Sequence, residues 1–533
     1  MSKDQRYDEE QATQRRASIL GLQYANTIDQ NKHLYSELLP KDVLYKARVI
    51  PLYADQHAIT FGVTNTTSKQ TMEALKHEFL DQRISFALIS DAGYREYMKL
   101  YDPPKKVEYQ DIKINTAGSE ELIRDVSATL DTIRSDDMLG YLVQQAHKLG
   151  ASDIHLETKR DKTDIRFRID GVLQPIAHIS REKYRPLLST IASAGNVSTA
   201  ADYAQQGHIT QDVRLADNSQ VQVNVRLETV QTIHGMDVVM RLFNMRPDMY
   251  NLDSLSLSSQ ERQIVDSIIS RPSGLVLVVG PTGSGKTTTL YSMLNSLNTP
   301  QRKIITLEDP VEYQLNGITQ IPIATRSSKD VNFAESLRAT LRLDPDIIMV
   351  GEIRDLDTAQ TALQAALTGH LVLSTFHASS AAAALTRMAD VIGKNPLFVT
   401  SIRLVMAQRL VRRLDDSTKV AYQPDEATRD SLRRIVESLP ANIQRPDMNN
   451  ITLYRAGSSE ENPYGYRGQI PLREQFTMSD QLRQTLEQHV HGVTTEKLET
   501  AAIASGMRTM LQDGVLKVLA GETTVEEVYR VIG

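Results

Sequence analysis

Short apolar runs alternating with stretches of helical periodicity organise this chain, most clearly between residues 255 and 414. There, runs at 275–279, 303–307, 346–350 and 371–375 have strand length and β-branched character, and helical spacing fills the intervals between them. That alternation predicts a largely parallel sheet. An earlier unit, 136–247, opens with Met138, Leu139, Leu142, Val143 and Ala146 at helical spacing. It then shows runs at 163–169 and 221–227 whose period of two places polar residues on one face. Residues 1–110 read as a further α/β unit, with apolar clusters at 49–52 and 59–63, and the breaker Tyr101-Asp102-Pro103-Pro104 opens a polar linker over 111–135. Arg246-Pro247-Asp248 closes the second unit, residues 415–470 are polar and irregular, and 471–533 form a helical end.

Composition narrows the class. With 533 residues the chain is too long for one core. No apolar stretch approaches the roughly 18 residues of a membrane span, and the charged N-terminus has no signal-peptide core, so a cytosolic or peripheral location is expected. A net charge of −6 and the lack of a basic, aromatic-interleaved stripe argue against nucleic acid as a partner. Cysteine is absent, which excludes disulfides and thiolate chemistry.

The chemistry concentrates after the run at 275–279. Residues 280–289 read GPTGSGKTTT, a complete phosphate-binding loop between a strand and a helix. Gly280, Pro281, Thr282, Gly283, Ser284 and Gly285 curl the backbone so that its N–H groups converge on a polyphosphate; Lys286 reaches the phosphates, Thr287 offers a hydroxyl to Mg²⁺, and Thr288 continues into the helix. ATP and Mg²⁺ are therefore the expected cofactors. Glu352 ends the run at 346–350, where a carboxylate can hold the metal partly through water. Glu308 and Glu312, in ITLEDPVEY, are both candidates to accept a proton from the attacking water, while mutual repulsion leaves one of the clustered acids a supporting role. His370 and His377 flank the fourth strand and are candidates to sense the γ-phosphate. Arg338 and Arg342, four apart on a predicted helix, Arg354, and Arg226 and Arg241 in the preceding unit are candidates to neutralise transition-state charge.

Four blocks in order, GPTGSGKTTTLYSML, ITLEDPVEY, LRLDPDIIMVGEIRD and LTGHLVLSTFHA, resemble the secretion ATPases of type II secretion systems and type IV pili. ASDIHLE and Ile169-Asp170-Gly171-Val172-Leu173 resemble that family's partner domain, and MAQRLVRRL with the tail from Ser505 resembles its C-terminal helices. The resemblance implies a RecA-like P-loop domain, a PAS-like α/β partner domain ahead of it, and a homohexamer that clamps ATP between the two. It implies Glu312 as the catalytic carboxylate, Glu352 as metal support, Arg226 and Arg241 as arginines reaching the nucleotide, and His370 and His377 as the histidine box. Residues 20–101 look like the domain by which assembly and secretion members dock on an inner-membrane platform protein, so a peripheral place at the bacterial inner membrane is expected. One departure stands out. Where many members carry four zinc-binding cysteines, this chain reads Asp415, Thr418, Ser458 and Glu461, so no zinc is expected. That points to a pilus-assembly branch of type IVb or conjugative-plasmid kind, with a type II secretion motor as the alternative and a nucleic-acid motor as the less favoured one.

Overall fold

A computed structural model describes the chain except for residues 1–2, 29–31, 103–108, 110, 113–119, 215–219, 244–249, 324–332, 394–395, 460–461, 463 and 489–492. It divides into two units, residues 1–108 and 109–533.

In the first unit, α1 (Lys3–Leu20) precedes β1 (Gln23–Tyr24), α2 (Lys41–Ala47), β2 (Val49–Ala54), β3 (Ala58–Val63), α3 (Lys69–Glu78), β4 (Arg83–Leu88) and α4 (Asp91–Tyr101). The sheet order is β1-β4-β3-β2. Val49, Ile50, Ile59 and Phe61 are sealed from water beneath α2 and α4, which contribute Leu44, Tyr94 and Tyr97.

The second unit begins with α5 (Glu120–Thr132) and α6 (Ser135–Lys148). The polar linker expected over 111–135 thus contains a helix. Leu122, Val126 and Leu130 recur every four residues, so the helix turns a continuous apolar stripe onto the core despite its polar composition. Next come β5 (Ala151–Thr158), β6 (Lys162–Ile169), β7 (Val172–Ser180), α7 (Arg181–Gly195), β8 (Gln205–Arg214), β9 (Gln220–Thr232) and β10 (Gly235–Phe243), in an antiparallel sheet of order β7-β6-β5-β10-β9-β8. Alternation sorts this sheet's faces. Ile154, Leu156, Ile165, Phe167, Val225, Leu227 and Met240 are buried on one face, and Asp153, Arg168, Arg226 and Arg241 lie on the other.

The remaining helices and strands surround one larger sheet: α8 (Ser259–Ile269), β11 (Gly274–Val279), α9 (Lys286–Leu297), β12 (Ile304–Glu308), β13 (Thr319–Pro322), α10 (Phe333–Thr340), β14 (Ile347–Val350), α11 (Leu356–Leu367), β15 (Leu371–Phe376), α12 (Ala381–Ile392), α13 (Pro396–Ser401), β16 (Ile402–Leu414), β17 (Val420–Tyr422), α14 (Glu426–Glu437), β18 (Leu453–Arg455), β19 (Tyr466–Thr477), α15 (Asp480–Gln488), α16 (Thr495–Ala504), α17 (Met510–Leu519) and α18 (Val525–Ile532). Its order is β13-β12-β14-β15-β11-β16-β19, parallel except for β19. Both faces are covered, which is why β11 and β15 are buried at every position.

Two expectations change here. MAQRLVRRL is not helical: it lies in β16, where apolar residues face both covering layers and the run is buried in the middle of the sheet. The stretch 415–470 is more regular than its composition suggests. It contains α14, whose N-cap Asp425 accepts a hydrogen bond from Thr428 N at 2.7 Å, and a β17–β18 pair. The boundary placed at 470 falls inside β19, which belongs to the central sheet.

Candidate nucleotide-binding and hydrolysis site

β11 ends in the phosphate-binding loop because only glycine tolerates the backbone there. Gly283 and Gly285 have φ of 77° and 83°, and Gly280 has a φ of 151°, where an added Cβ would sit 2.5 Å from the Gln408 carbonyl oxygen. Gln408, fully buried on β16, braces the turn: its Nε2 donates to Ser284 O at 2.7 Å and its Oε1 accepts from Thr289 Oγ1 at 3.0 Å. α9 starts at Lys286, whose Nζ donates to the carbonyls of Gly280 (2.9 Å) and Pro281 (2.8 Å). Burial lowers the Lys286 pKa, against the pull of Glu352 and Glu312.

Parallel strands deliver the acids to the same edge. A cavity of about 770 Å³ there is lined by the loop from Pro281 to Thr288, by Glu308, Glu312, Glu352 and His377, and by Asp153, Arg168 and Arg241 of the antiparallel sheet. Glu312 Oε1 accepts from Thr287 Oγ1 at 3.4 Å. Burial first and the neighbouring Glu308 second push the Glu312 pKa up, while the Thr287 hydrogen bond and the charges of Arg241 and Lys286 oppose them. Glu308 is occupied structurally: it accepts from Tyr291, from Thr306 Oγ1 at 2.6 Å and from Gln320 Nε2 at 3.0 Å. Glu352 is held by Arg354 Nε at 2.7 Å and His377 Nε2 at 2.9 Å. The Thr287 hydroxyl with the carboxylates of Glu352 and Glu312 is a hard-oxygen donor set of the kind Mg²⁺ takes.

Four expected residues stand elsewhere. His370 precedes β15, at the opposite end from His377. Six strand residues separate them, roughly 20 Å at the rise of a parallel strand. Its Nδ1 instead lies 3.0 Å from Ala365 O, so His370 closes α11 rather than facing phosphate. Arg226 is the cross-strand neighbour of Arg241 but one strand further from the cavity, and its Nη2 pairs with Glu228 at 3.0 Å. Arg338 is bound to Asp357, and α10 ends at Thr340, so Arg342 falls in the following 3₁₀ turn and the two do not share an α-helical face.

Several lining residues were not singled out from sequence: Asp153, Arg168, Arg409, Gln469 and Arg530. ASDIHLE contains Asp153, but only the sheet register shows what it touches. Arg409 reaches the cavity from β16 and donates through Nη2 to Ser379 O at 3.3 Å. Arg530 of α18 is paired through Nη2 with Glu527 at 2.6 Å.

At the first of the four positions that stand in place of the cysteines, Asp415 Oδ1 accepts from Ser417 N (3.0 Å) and Oγ (2.7 Å), and Oδ2 from Asn462 Nδ2 (2.7 Å). These hydrogen bonds hold its pKa down to about 2. The carboxylate is committed to linking two chain segments; Glu461 lies outside the described residues.

A parallel sheet with a glycine loop and acids at its carboxyl edge defines a RecA-like P-loop ATPase. The fold resemblance is direct: the ATPase DotB of Legionella pneumophila superposes with a TM-score of 0.55 at 22% identity, over 75% of this chain and 96% of that one. The family model described as Type II/IV secretion system protein matches residues 132–530, and the chain belongs to that family of ATPases. Type II secretion system protein E of Xanthomonas campestris is 39% identical over 428 residues, covering 80% of this chain and 71% of the relative. Type II secretion system ATPase E of Vibrio cholerae is 36% identical over 471 residues, covering 87% and 89%. Type IV pilus assembly ATPase PilB of Thermus thermophilus is 32% identical over 499 residues, covering 92% of this chain and 54% of the relative. No helix among the described residues is long and apolar enough to cross a membrane.

Proposed function

We propose that this ATPase powers type IV pilus assembly, working as a homohexamer at the cytoplasmic face of the inner membrane and docked through its first unit on a platform protein. The observation that carries the motor reading is the composition of one cavity wall. Lys286 and the phosphate loop belong to the parallel sheet, whereas Arg241 and Arg168 facing them belong to the antiparallel sheet. A polyphosphate held on one side is stabilised in its transition state only when the other side approaches, so hydrolysis and domain position are linked.

Within that cavity the roles divide by chemistry. The loop N–H groups and Lys286 bind the β- and γ-phosphates. Thr287 and Glu352 would hold Mg²⁺, which neutralises charge on the β- and γ-phosphate oxygens when bound. Glu312, a half-buried carboxylate with a raised pKa, accepts the proton of the attacking water. His377 and Arg354 fix the orientation of Glu352. Conversion of domain closure into work needs a hinge, and 247–252, beginning at Pro247 where the second unit closes, is our candidate; residues 244–249 lie outside the described ones.

Oxygen donors at Asp415, Thr418 and Ser458 in place of thiolates support the pilus reading. A type II secretion motor is the second reading, favoured by relatives of that name at 36% and 39% identity. Deleting the gene in its host separates the two. Loss of surface pili by electron microscopy with normal protein export supports the first. Retained pili with loss of exported proteins from the medium supports the second.

A further inference from the structure

The turn between β6 and β7 makes a contact that the roles above leave unused. Ile169-Asp170-Gly171-Val172 folds as a tight hairpin, with Asp170 and Gly171 both left-handed at φ of 47° and 81°. The short polar side chain that lets Asp170 adopt this conformation also reaches the central sheet: its Oδ2 accepts from Gly468 N, near the start of β19, at 3.1 Å. The approach is so close that a Cβ added at Gly171 would lie 3.0 Å from Gln469 Nε2. Gly171 and Gln469 both line the cavity that contains Lys286, so the two sheets meet directly at its rim.

A second contact lies just before β19. Tyr464 packs against the core of the antiparallel-sheet domain, the same cluster that Ile169 joins. Its hydroxyl is buried without a hydrogen-bond partner among the described residues. Burial of the ring and the lost hydration of the hydroxyl therefore work against each other. The residues on either side of Tyr464 are fixed from the central sheet. Asn462 donates through Nδ2 to Asp415 Oδ2 at 2.7 Å and to Tyr466 O at 2.9 Å, while its Oδ1 accepts from Gly465 N at 3.2 Å. Asp415 N donates to Gly465 O at 3.0 Å. Asn462 and Gly465, which bracket Tyr464, are thus both tied to Asp415.

We propose that the Asp170–Gly468 contact and the docked Tyr464 form a latch within the chain that holds the antiparallel-sheet wall over the phosphate loop, with Asp415 and Asn462 as its positioning residues. A nucleotide clamped between the two walls leaves only when they part, and both contacts must break for that to happen, so the latch sets the rate of nucleotide release. The release rate rests on the reading of the cavity as the ATP site; the latch itself does not.

The full-length chain contains no cysteine, so Arg185→Cys on α7 and Glu426→Cys on α14, both exposed, accept a pair of spin labels whose separation reports the angle between the domains without nucleotide. Release of a fluorescent ADP analogue, chased with unlabelled ADP, gives the rate, and a melting curve accompanies each variant. Tyr464→Ala is expected to speed release roughly tenfold or more, as truncation of a buried aromatic anchor does, and to broaden the spin-label distances. Asp170→Ala should speed release about three- to tenfold, and Asp170→Asn, which keeps an acceptor oxygen and the turn, should return to within about twofold of wild type. Tyr464→Phe removes the unpartnered hydroxyl and should slow release about two- to tenfold, a gain that damage to the fold would not produce. Asn462→Ala should speed release in the wild-type background and have no further effect beside Tyr464→Ala, since positioning matters only while the positioned group is present. A melting temperature that falls in Tyr464→Ala and Asp170→Ala while release and distances stay as in wild type would overturn the proposal. So would Tyr464→Phe releasing as fast as Tyr464→Ala. If Lys286→Ala binds the analogue as wild type does, the ATP-site reading fails and the release claim with it, whereas unchanged distances across the variants without nucleotide overturn the latch itself.

Discussion

Glu312→Gln isolates the proton acceptor from the rest of the cavity. The substitution preserves side-chain shape beside Thr287, 3.4 Å away, and removes only the negative charge and the basicity. General-base removal costs roughly 10²- to 10⁴-fold in rate, or about 3–5 kcal/mol of transition-state stabilisation. Binding should move the other way. A carboxylate about 6 Å from a phosphate charge repels it by at most ~3 kcal/mol at an effective dielectric near 20, and Lys286 and Arg241 offset much of that. Nucleotide affinity is therefore expected to stay level or tighten by up to about tenfold. The pH profile supplies a third reading. Burial and Glu308 raise the Glu312 pKa, so wild-type turnover should fall on the acid side at a pH above the usual glutamate range, as the base becomes protonated. The residual activity of the variant should lack that limb. Turnover from phosphate release and affinity from a fluorescent ATP analogue measure all three. A variant that hydrolyses ATP within threefold of wild type would refute the assignment, and the constrained Glu308 would become the next residue to test.

Lys286→Ala should abolish measurable nucleotide binding, not turnover alone, because it removes a ground-state contact; calorimetric titration with ADP checks this, and wild-type affinity would contradict it. Elemental analysis of the purified chain should find less than a tenth of a zinc per chain, since Asp415 is committed to Ser417 and Asn462; one zinc per chain would overturn that. Glu527 is pushed up by burial, but hydrogen bonds from Arg530 and Arg412 outweigh this and hold its pKa near 2, against an ordinary 4.5. Its stabilisation is present above about pH 4.5 and lost as pH falls toward 2; the difference corresponds to about 3 kcal/mol, discounted to about 1–2 for the solvent-exposed Arg530. Glu527→Gln should thus lower the melting temperature at pH 7, with a gap to wild type that narrows at pH 3, and an equal gap at both would contradict the assignment.

What was legible in the sequence is what local chain geometry determines. The phosphate loop is contiguous, and its glycines, the strand before it and the helix after it are enough to place Lys286 and Thr287. Glu312, Glu352 and His377 could be placed because parallel strands present ligands at their carboxyl ends. The same rule, applied to His370, would have excluded it, since it precedes β15 where His377 follows it. Arg226 and Arg241 are a different case. Their separation of 15 residues makes them partners across the β9–β10 hairpin, as the register shows, but pairing does not say which strand lies nearer the cavity. That depends on β10 pairing with β5 on its other side, a contact about 90 residues distant in the chain.

β16 shows most plainly why the remainder was not legible. Gln408 and Arg409 are neighbours in MAQRLVRRL, where the family resemblance implied a helix, yet strand geometry sends them to opposite faces of the sheet. Gln408 reaches under the phosphate loop to Ser284 and Thr289, and Arg409 turns to Ser379 and the cavity. Glu527 then ties the far end of the same strand, at Arg412, to Arg530 of α18, which also lines the cavity. One strand therefore links the loop that grips phosphate to the last helix, across more than 100 residues of sequence. The loop and the C-terminal helix thus meet side chains of one and the same strand, a link that no local pattern of residues encodes.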